Sequence, residues 1–402
     1  MCIRDSLRSA LLDANKTLEE ISSEKKSLLE KQVQQQKIKE KEDKLTTKRS
    51  PIKKAGEAVK SAAKGVQGFF DKVIQFGATI LIGQLITALP GLIEKFKEWK
   101  ENNKMLINGE CDNSDTEKTL ETLNPENNKP WAEVPEASAT DVDRAVKAAQ
   151  KAFEGEWPKL LPRERGKYLR AIADKLRKNA ELLGEIETID TGKLFRETKK
   201  QANYIAEYYD YYAGMADKVE GTVLPIDKPN IQAITTRVPI GVIAAIIPWN
   251  SQMLLTVTKL APALAMGNTV VIKSSELAPA VLFEFAKLIE QTGIPQGVIN
   301  VITGYGDPCG KALTTHNLVE KIAFTGGPET ARHIIRNSAE NLSEVSLELG
   351  GKSPVAVFDD AEQENAINGI TAGIFGASGQ SCIAGSRLYI QKGIYNEFLD
   401  KL

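Results

Sequence analysis

The stretch that decides the fold is residues 239–276, PIGVIAAIIPWNSQMLLTVTKLAPALAMGNTVVIKSSE. Two short and continuously apolar runs, Val242–Ile247 and Val270–Ile272, flank a longer segment of helical character. Runs of this kind are typical of strands that are buried on both faces of a parallel sheet. The stretch therefore predicts a strand, a helix and a second strand.

The same alternation continues toward the C-terminus, with helical segments between most of the strands. The further apolar runs are Val298–Ile302, Ile322–Phe324, Val345–Leu347 and Val355–Phe358. This order predicts an α/β protein with a parallel, doubly wound sheet. Upstream, helical patterns start near Thr140 and cover Lys167–Leu183 and Glu197–Tyr212, and an alternating stretch over Thr222–Val238 predicts a hairpin.

Composition narrows the class of protein. The 402 residues are 42% hydrophobic and 26% charged, with a formal net charge of -1, so nothing favours nucleic-acid binding. The four cysteines form no CxxC pair, and the two histidines lack metal-ligand spacing. We therefore expect a cytoplasmic protein without a disulfide framework or a metal site.

The first 103 residues differ in character from the rest. Residues 1–48 are polar and predict a solvated helix or a short coiled coil. Residues 73–93 carry no charge and would be long enough to span a bilayer, and the alternative is an apolar helix buried in a partner. Membrane contact is predicted only there, and a new domain is expected to begin near Met105.

Two glycine-rich turns follow predicted strands. Residues 304–310, GYGDPCG, approach the GxGxxG dinucleotide pattern but have one residue too many before the last glycine. Residues 324–329, FTGGPE, form the second turn. In doubly wound sheets ligands bind beyond the carboxyl ends of the strands, where glycine lets the backbone approach phosphate. Ordinary connecting turns are the alternative for each.

Five sequence blocks occur together in a characteristic order. They are Pro248-Trp249-Asn250, Lys273–Glu276, Phe324-Thr325-Gly326, Leu347–Lys352 (LELGGK) and Gly379–Cys382 (GQSC). Together they resemble the NAD(P)-dependent aldehyde dehydrogenase superfamily over about residues 104–402. The resemblance implies a Rossmann-type NAD-binding domain at 104–221 and 239–350, an oligomerisation hairpin at 222–238 and a partial α/β catalytic domain at 351–402. It also implies a homodimer or homotetramer.

The resemblance also implies the chemistry. Cys382 would be the nucleophile, and its thiol would need an electropositive or helix-terminal setting to ionise. The Asn250 amide and the Cys382 N–H would stabilise the oxyanion, and Glu348 would activate the water that hydrolyses the thioester. A coenzyme A-acylating relative is the second alternative, and an inactive remnant with a structural or membrane-associated N-terminal segment is the third.

The implied cofactor is NAD, and the implied substrate is a small aldehyde. The residues expected along NAD are Ile246, Ile247, Pro248, Trp249, Lys273, Glu276, Gly306, Gly310, Phe324, Thr325, Gly326, Gly327, Leu349 and Gly350. The acidic Glu276 suits free ribose hydroxyls and would repel a 2′-phosphate, which favours NAD over NADP.

The sequence also departs from the family pattern. Gly327 stands where a serine is usual after FTG, and Ser274 stands where a proline is usual after the lysine. The chain ends 20 residues after Cys382, whereas family members continue much further. We therefore expect a C-terminally truncated member that is inactive or poorly soluble. Residues 1–103 do not resemble the family, and we interpret them as an unrelated extension joined in a chimeric assembly.

Overall fold

A mixed seven-stranded sheet organises the computed structural model, which describes residues 103–402. The N-terminal elements are β1 (Met105–Ile107), β2 (Glu110–Asp112), β3 (Thr119–Asn124), β4 (Lys129–Pro135), α1 (Ala139–Glu154), α2 (Pro162–Lys178), α3 (Ala180–Thr191) and α4 (Phe195–Met215). A short hairpin follows, with β5 (Val223–Leu224) and β6 (Ala233–Ile234).

The remaining elements alternate as the sequence predicts. They are β7 (Val242–Ile246), α5 (Gln252–Ala265), β8 (Thr269–Ser274), α6 (Ala280–Glu290), β9 (Ile299–Thr303), α7 (Lys311–Thr314), β10 (Val319–Gly326), α8 (Pro328–Asn341), β11 (Glu344–Leu349), β12 (Pro354–Val357), α9 (Gln363–Phe375), β13 (Arg387–Ile390) and α10 (Tyr395–Lys401). The strand order of the seven-stranded sheet is β11-β10-β7-β8-β9-β1-β2. Strands β7 to β11 pair in parallel, which confirms the prediction for the centre of the sheet.

The structure adds two antiparallel strands at one edge of this sheet, which the sequence did not predict. There β1 pairs antiparallel with β9, and β2 pairs antiparallel with β1. A three-residue strand carries too little periodicity to be recognised, although the Met105–Ile107 side chains are buried. These edge strands make the sheet mixed.

The central strands are buried on both faces because helices cover both sides of the sheet. Every residue of β7, β8 and β9 is buried. Along β7, Ile243 and Ala245 pack toward α2 to α6, whereas Val242, Ala244 and Ile246 pack toward α1, α7 and α8. This is the two-residue alternation of a strand, and it explains the continuous apolar runs.

Two further predictions are settled by local geometry. The helix predicted over Lys167–Leu183 is in fact two helices, because Asn179 leaves the helical conformation and its side-chain amide donates to Lys175 O at 2.8 Å. The hairpin within Thr222–Val238 is confirmed, and β5 and β6 pair antiparallel.

None of the helices between residues 103 and 402 is long and apolar enough to cross a membrane. The predictions for residues 1–48 and 73–93 lie outside the described residues.

A buried carboxyl group ties the outer hairpin of β3 and β4 to the helices. Asp190 on α3 accepts hydrogen bonds from Thr122 Oγ1 at 2.6 Å, Trp131 Nε1 at 3.0 Å and the Ala280 N–H at 2.8 Å. Burial raises the pKa of Asp190 to about 7. The folded protein therefore holds a proton that the unfolded chain releases above its ordinary pKa near 3.8.

We expect Asp190 to make stability fall as pH rises from 4 to 7. In that range the folded state binds one proton more than the unfolded state, so the slope is negative and amounts to about 1.4 kcal/mol per pH unit. Asp190→Asn removes this slope. Urea unfolding of both proteins from pH 4 to 8 measures the difference, and parallel profiles for the two proteins would contradict the assignment.

Candidate active site

The order of the parallel strands reverses between β7 and β10. From β7 the chain continues outward through β8 and β9, and then it crosses back to β10 and β11 on the other side of β7. The loops after β7 and β10 therefore diverge to opposite faces and leave a crevice at the carboxyl ends of the strands. A cleft of about 1200 Å³ opens there.

Most of the predicted site residues lie on the wall of this cleft. They are Ile246, Ile247, Pro248, Trp249, Asn250, Lys273, Glu276, Gly306, Gly310, Phe324, Thr325, Gly326, Gly327, Gly350 and Cys382. Leu349 and Glu348, both on β11, are not among its lining residues, and the Leu349 side chain is 40% exposed. Lining residues that the sequence analysis missed include Ser275, Lys311, His333 and Asn337.

Several glycines keep the cleft open to a ligand backbone or phosphate. At Gly306, Gly327 and Gly350 no atom lies within 4 Å of the position that a Cβ would occupy. Gly327 is also the N-cap of α8, whose first residue, Pro328, lines the cleft. Unpaired N–H groups and the positive end of the helix dipole favour an anion at this point.

A charged pair lies at the end of β8. The Lys273 side chain is nearly buried, and its Nζ lies 3.9 Å from Glu276 Oε2 and donates to Ser274 O at 3.0 Å. Glu276 is partly exposed on the cleft. The pair can offer a cation and a carboxylate acceptor to polar ligand groups.

Cys382 lies in a turn at the end of the cleft. Three consecutive residues before it, Ala377, Ser378 and Gly379, adopt left-handed φ values of 52°, 56° and 74°. The Cys382 side chain is exposed and lines the cleft. Within residues 103–402 its backbone N–H has no hydrogen-bond acceptor, so it is free to donate to a ligand oxygen.

Asn250 connects the end of β7 with the cysteine turn. Its Nδ2 donates to Gln380 O at 2.5 Å, two residues before Cys382. This contact brings the predicted amide and the predicted thiol to the same end of the cleft.

A lysine that the sequence analysis missed lies near Glu348. Lys259 is the single charged residue of α5, QMLLTVTKLAPALA, and its Nζ donates to Thr325 Oγ1 at 2.6 Å. Thr325 is the β10 partner of Glu348 in the sheet. Burial lowers the pKa of Lys259 to about 8, and the nearby Glu348 carboxylate opposes this shift. A lone charge on an apolar helix was the signal that could have identified it.

The other described cysteines are in different surroundings. Cys309 is buried, and burial raises the pKa of its thiol to about 11. Cys111 is half-buried beside Glu290, and burial together with that carboxylate raises its pKa as well. Cys382 is therefore the exposed cysteine among those of residues 103–402, whereas Cys111 is partly accessible.

The fold and the cleft define a doubly wound α/β protein of the dinucleotide-binding type. A family model described as the aldehyde dehydrogenase family matches residues 112–402. The chain belongs to the aldehyde dehydrogenase family.

Relatives and solved structures agree with this assignment. A (Z)-2-((N-methylformamido)methylene)-5-hydroxybutyrolactone dehydrogenase of Acinetobacter baylyi is 54% identical over 300 residues, which cover 74% of this chain and 61% of that protein. An aldehyde dehydrogenase of Aspergillus niger is 44% identical over 74% of this chain and 60% of its own length. The chain thus spans about three-fifths of these relatives.

Solved structures of NAD⁺ complexes share this fold. Aldehyde dehydrogenase from Bacillus cereus with NAD⁺ has a TM-score of 0.74 and 39% identity, and the match covers 77% of this chain and 63% of that one. A betaine aldehyde dehydrogenase variant of Staphylococcus aureus with NAD⁺ has a TM-score of 0.73 at 39% identity, over 75% of this chain and 61% of that one.

We expect Cys382 to react with iodoacetamide at pH 8 more than about a hundredfold faster than Cys309, because alkylation requires an accessible thiolate. Peptide mass spectrometry of the full chain follows each site over time. Cys382→Ala is the control that removes the fast phase. Comparable rates at Cys309 and Cys382 would contradict the placement of an exposed Cys382 at the end of the cleft.

Proposed function

We propose that the chain carries the cofactor-binding part and the nucleophile of an enzyme that oxidises an aldehyde to a carboxylic acid with NAD. The observation that carries the proposal is the Asn250–Gln380 hydrogen bond, which holds a side-chain amide beside the Cys382 turn at the end of the cleft. An amide donor next to an exposed thiol is the arrangement that acyl-transfer chemistry needs.

NAD fits the residues of the cleft. Gly306 and Gly327 leave room for the backbone to approach a pyrophosphate, and the α8 N-terminus favours its charge. Lys273 and Glu276 would hold ribose hydroxyls, and the Glu276 carboxylate disfavours a 2′-phosphate. When bound, NAD supplies the acceptor for the hydride that leaves the substrate carbon.

The protein groups then divide the reaction into two steps. The Cys382 thiolate adds to the aldehyde carbonyl, and the Asn250 amide and the Cys382 N–H stabilise the oxygen that becomes negative. Loss of a hydride leaves a thioester on Sγ. Glu348 takes a proton from water, and the resulting hydroxide attacks the thioester carbon. The C–S bond breaks, the carboxylic acid leaves, the Cys382 thiolate is restored, and Glu348 returns its proton to solvent.

A small aldehyde is the substrate class, and a homo-oligomer is the proposed assembly. The hairpin supports the latter, because Val223 and Ile234 are 64% and 65% exposed on its paired strands. Exposed apolar strand residues favour burial against another copy. Sedimentation of the full chain distinguishes a monomer from an oligomer. We also propose a cytoplasmic location.

Asn250→Ala is expected to lower kcat about a hundredfold or more, because one oxyanion donor is lost. The KM for NAD should change little, since cofactor contacts remain. NADH formation from a panel of aldehydes, measured without coenzyme A, provides the assay. Asn203→Ala, on the exposed part of α4, is the matched control and should keep wild-type rates. Equal kcat values for Asn250→Ala and wild type would refute the proposed oxyanion site.

Lys259 is expected to shape the pH dependence of thioester hydrolysis. Below about pH 8 the Lys259 ammonium attracts the Glu348 carboxylate and competes with the water for it, and above about pH 8 the neutral amine no longer does so. The hydrolysis rate should therefore rise through pH 8, and Lys259→Met should abolish that inflection. Lys321→Met, on the same sheet and paired with Glu344, is the control. An unchanged inflection in Lys259→Met would exclude Lys259 as its origin.

A further inference from the structure

A turn at the end of α3 connects the two segments that carry Asn250 and Cys382. We name residues 191–193, Thr191-Gly192-Lys193, the support turn. It ends α3, because Gly192 adopts a left-handed φ of 73° and its N–H donates to Thr188 O at 2.8 Å. The Thr191 hydroxyl donates to Glu187 O at 2.5 Å, so the turn is tied back to the helix.

The support turn holds the cysteine side of the site through its carbonyl groups. Gln380 Nε2 donates to Thr191 O at 3.0 Å, and Ser378 Oγ donates to Gly192 O at 3.0 Å. Just beyond the turn, Glu197 accepts from the Ala377 N–H at 3.2 Å. Ala377 and Ser378 have left-handed φ values, which cost energy in residues with a Cβ. Such conformations persist only where surrounding contacts enforce them.

The same turn reaches the asparagine side through a buried charge. Lys193 Nζ donates to Ser251 Oγ at 3.2 Å and to the Glu187 carboxylate. Ser251 follows Asn250 directly and is itself buried. The Lys193 and Glu187 side chains are only 2% and 3% exposed.

Stabilisation of the fold does not by itself explain why the Lys193–Glu187 ion pair is buried. Desolvation of two buried charges offsets much of their attraction, and well-packed apolar residues of similar size are often as stable or more so. What the ammonium provides is a directed bond to Ser251 from a turn whose carbonyl groups already hold Ser378 and Gln380.

We propose that Lys193, held by Glu187, is a positioning residue that fixes the Asn250 segment relative to the Cys382 turn. The inference rests on the proposed function, since the oxyanion site is what requires the amide and the thiol to keep their relative placement. Lys193 touches neither and acts through Ser251 and the support turn. Its loss should therefore lower kcat while leaving cofactor binding intact.

The test uses the full chain and two sets of changes. Glu187→Met with Lys193→Met removes both charges, so that no unpaired ion stays buried. Ser251→Ala removes only the link to the asparagine segment and preserves the ion pair. Thr122→Val is the matched control, because it deletes a buried hydrogen bond to Asp190 on the same helix without touching the support turn.

Two readouts are compared. Amide hydrogen exchange, followed by peptide mass spectrometry, should become about tenfold faster in residues 249–255 and 377–385 of the double variant and in residues 249–255 of Ser251→Ala. Thr122→Val should leave both segments unchanged. In the NADH assay kcat should fall about tenfold in the double variant, with the KM for NAD within about twofold of wild type.

The outcomes separate this inference from the proposed function. If the wild-type chain shows neither NADH formation nor an aldehyde-derived adduct on Cys382 with any aldehyde and NAD, the proposed function fails, and the exchange data still decide whether Lys193 positions the two segments. If the wild type is active but exchange in both segments stays at its wild-type rate, the positioning role is overturned while the function stands. If the double variant does not fold, Ser251→Ala decides by the same exchange measurement.

Discussion

The reversal of strand order between β7 and β10 is the constraint on which the rest of the structure depends. Parallel strands with crossover helices leave a crevice only where neighbouring connections turn to opposite faces. Because β7 to β9 build one half and β10 to β11 the other, the crevice lies beside the loop that starts at Pro248. Because of this reversal, one crevice is lined by the glycines, by the Lys273–Glu276 pair and by the start of α8.

The crevice at the sheet does not by itself supply the nucleophile. The turn that carries Cys382 comes from a part of the chain outside this sheet. Cys382 lies outside the seven-stranded sheet, between α9 and β13. Three hydrogen bonds bring it to the cleft. The Asn250 amide donates to Gln380 O, and the Gln380 and Ser378 side chains donate to carbonyl groups of the 191–193 turn. The chemistry proposed for Cys382 therefore depends on a strained turn that is held by hydrogen bonds from two directions.

The sequence predicted the central strands well, because strands buried on both faces leave continuous apolar runs such as Val242–Ile247. The edge strand Met105–Ile107 gave no signal, since three residues cannot establish a period. The break at Asn179 was missed because helical spacing continues on both sides of it. Motifs identified Asn250 and Cys382, but Lys259 and the Glu187–Lys193 pair owe their significance to neighbours distant in sequence, which a single sequence does not reveal.

The central claim is that the Cys382 sulfur forms a covalent bond with the aldehyde carbon. Glu348→Gln should slow hydrolysis so that the acylated protein accumulates when aldehyde and NAD are added together. Peptide mass spectrometry after rapid acid quench should then find the acyl mass on the peptide that contains Cys382, and omission of NAD should abolish it. A protein that forms NADH while this peptide stays unmodified in Glu348→Gln would contradict the account.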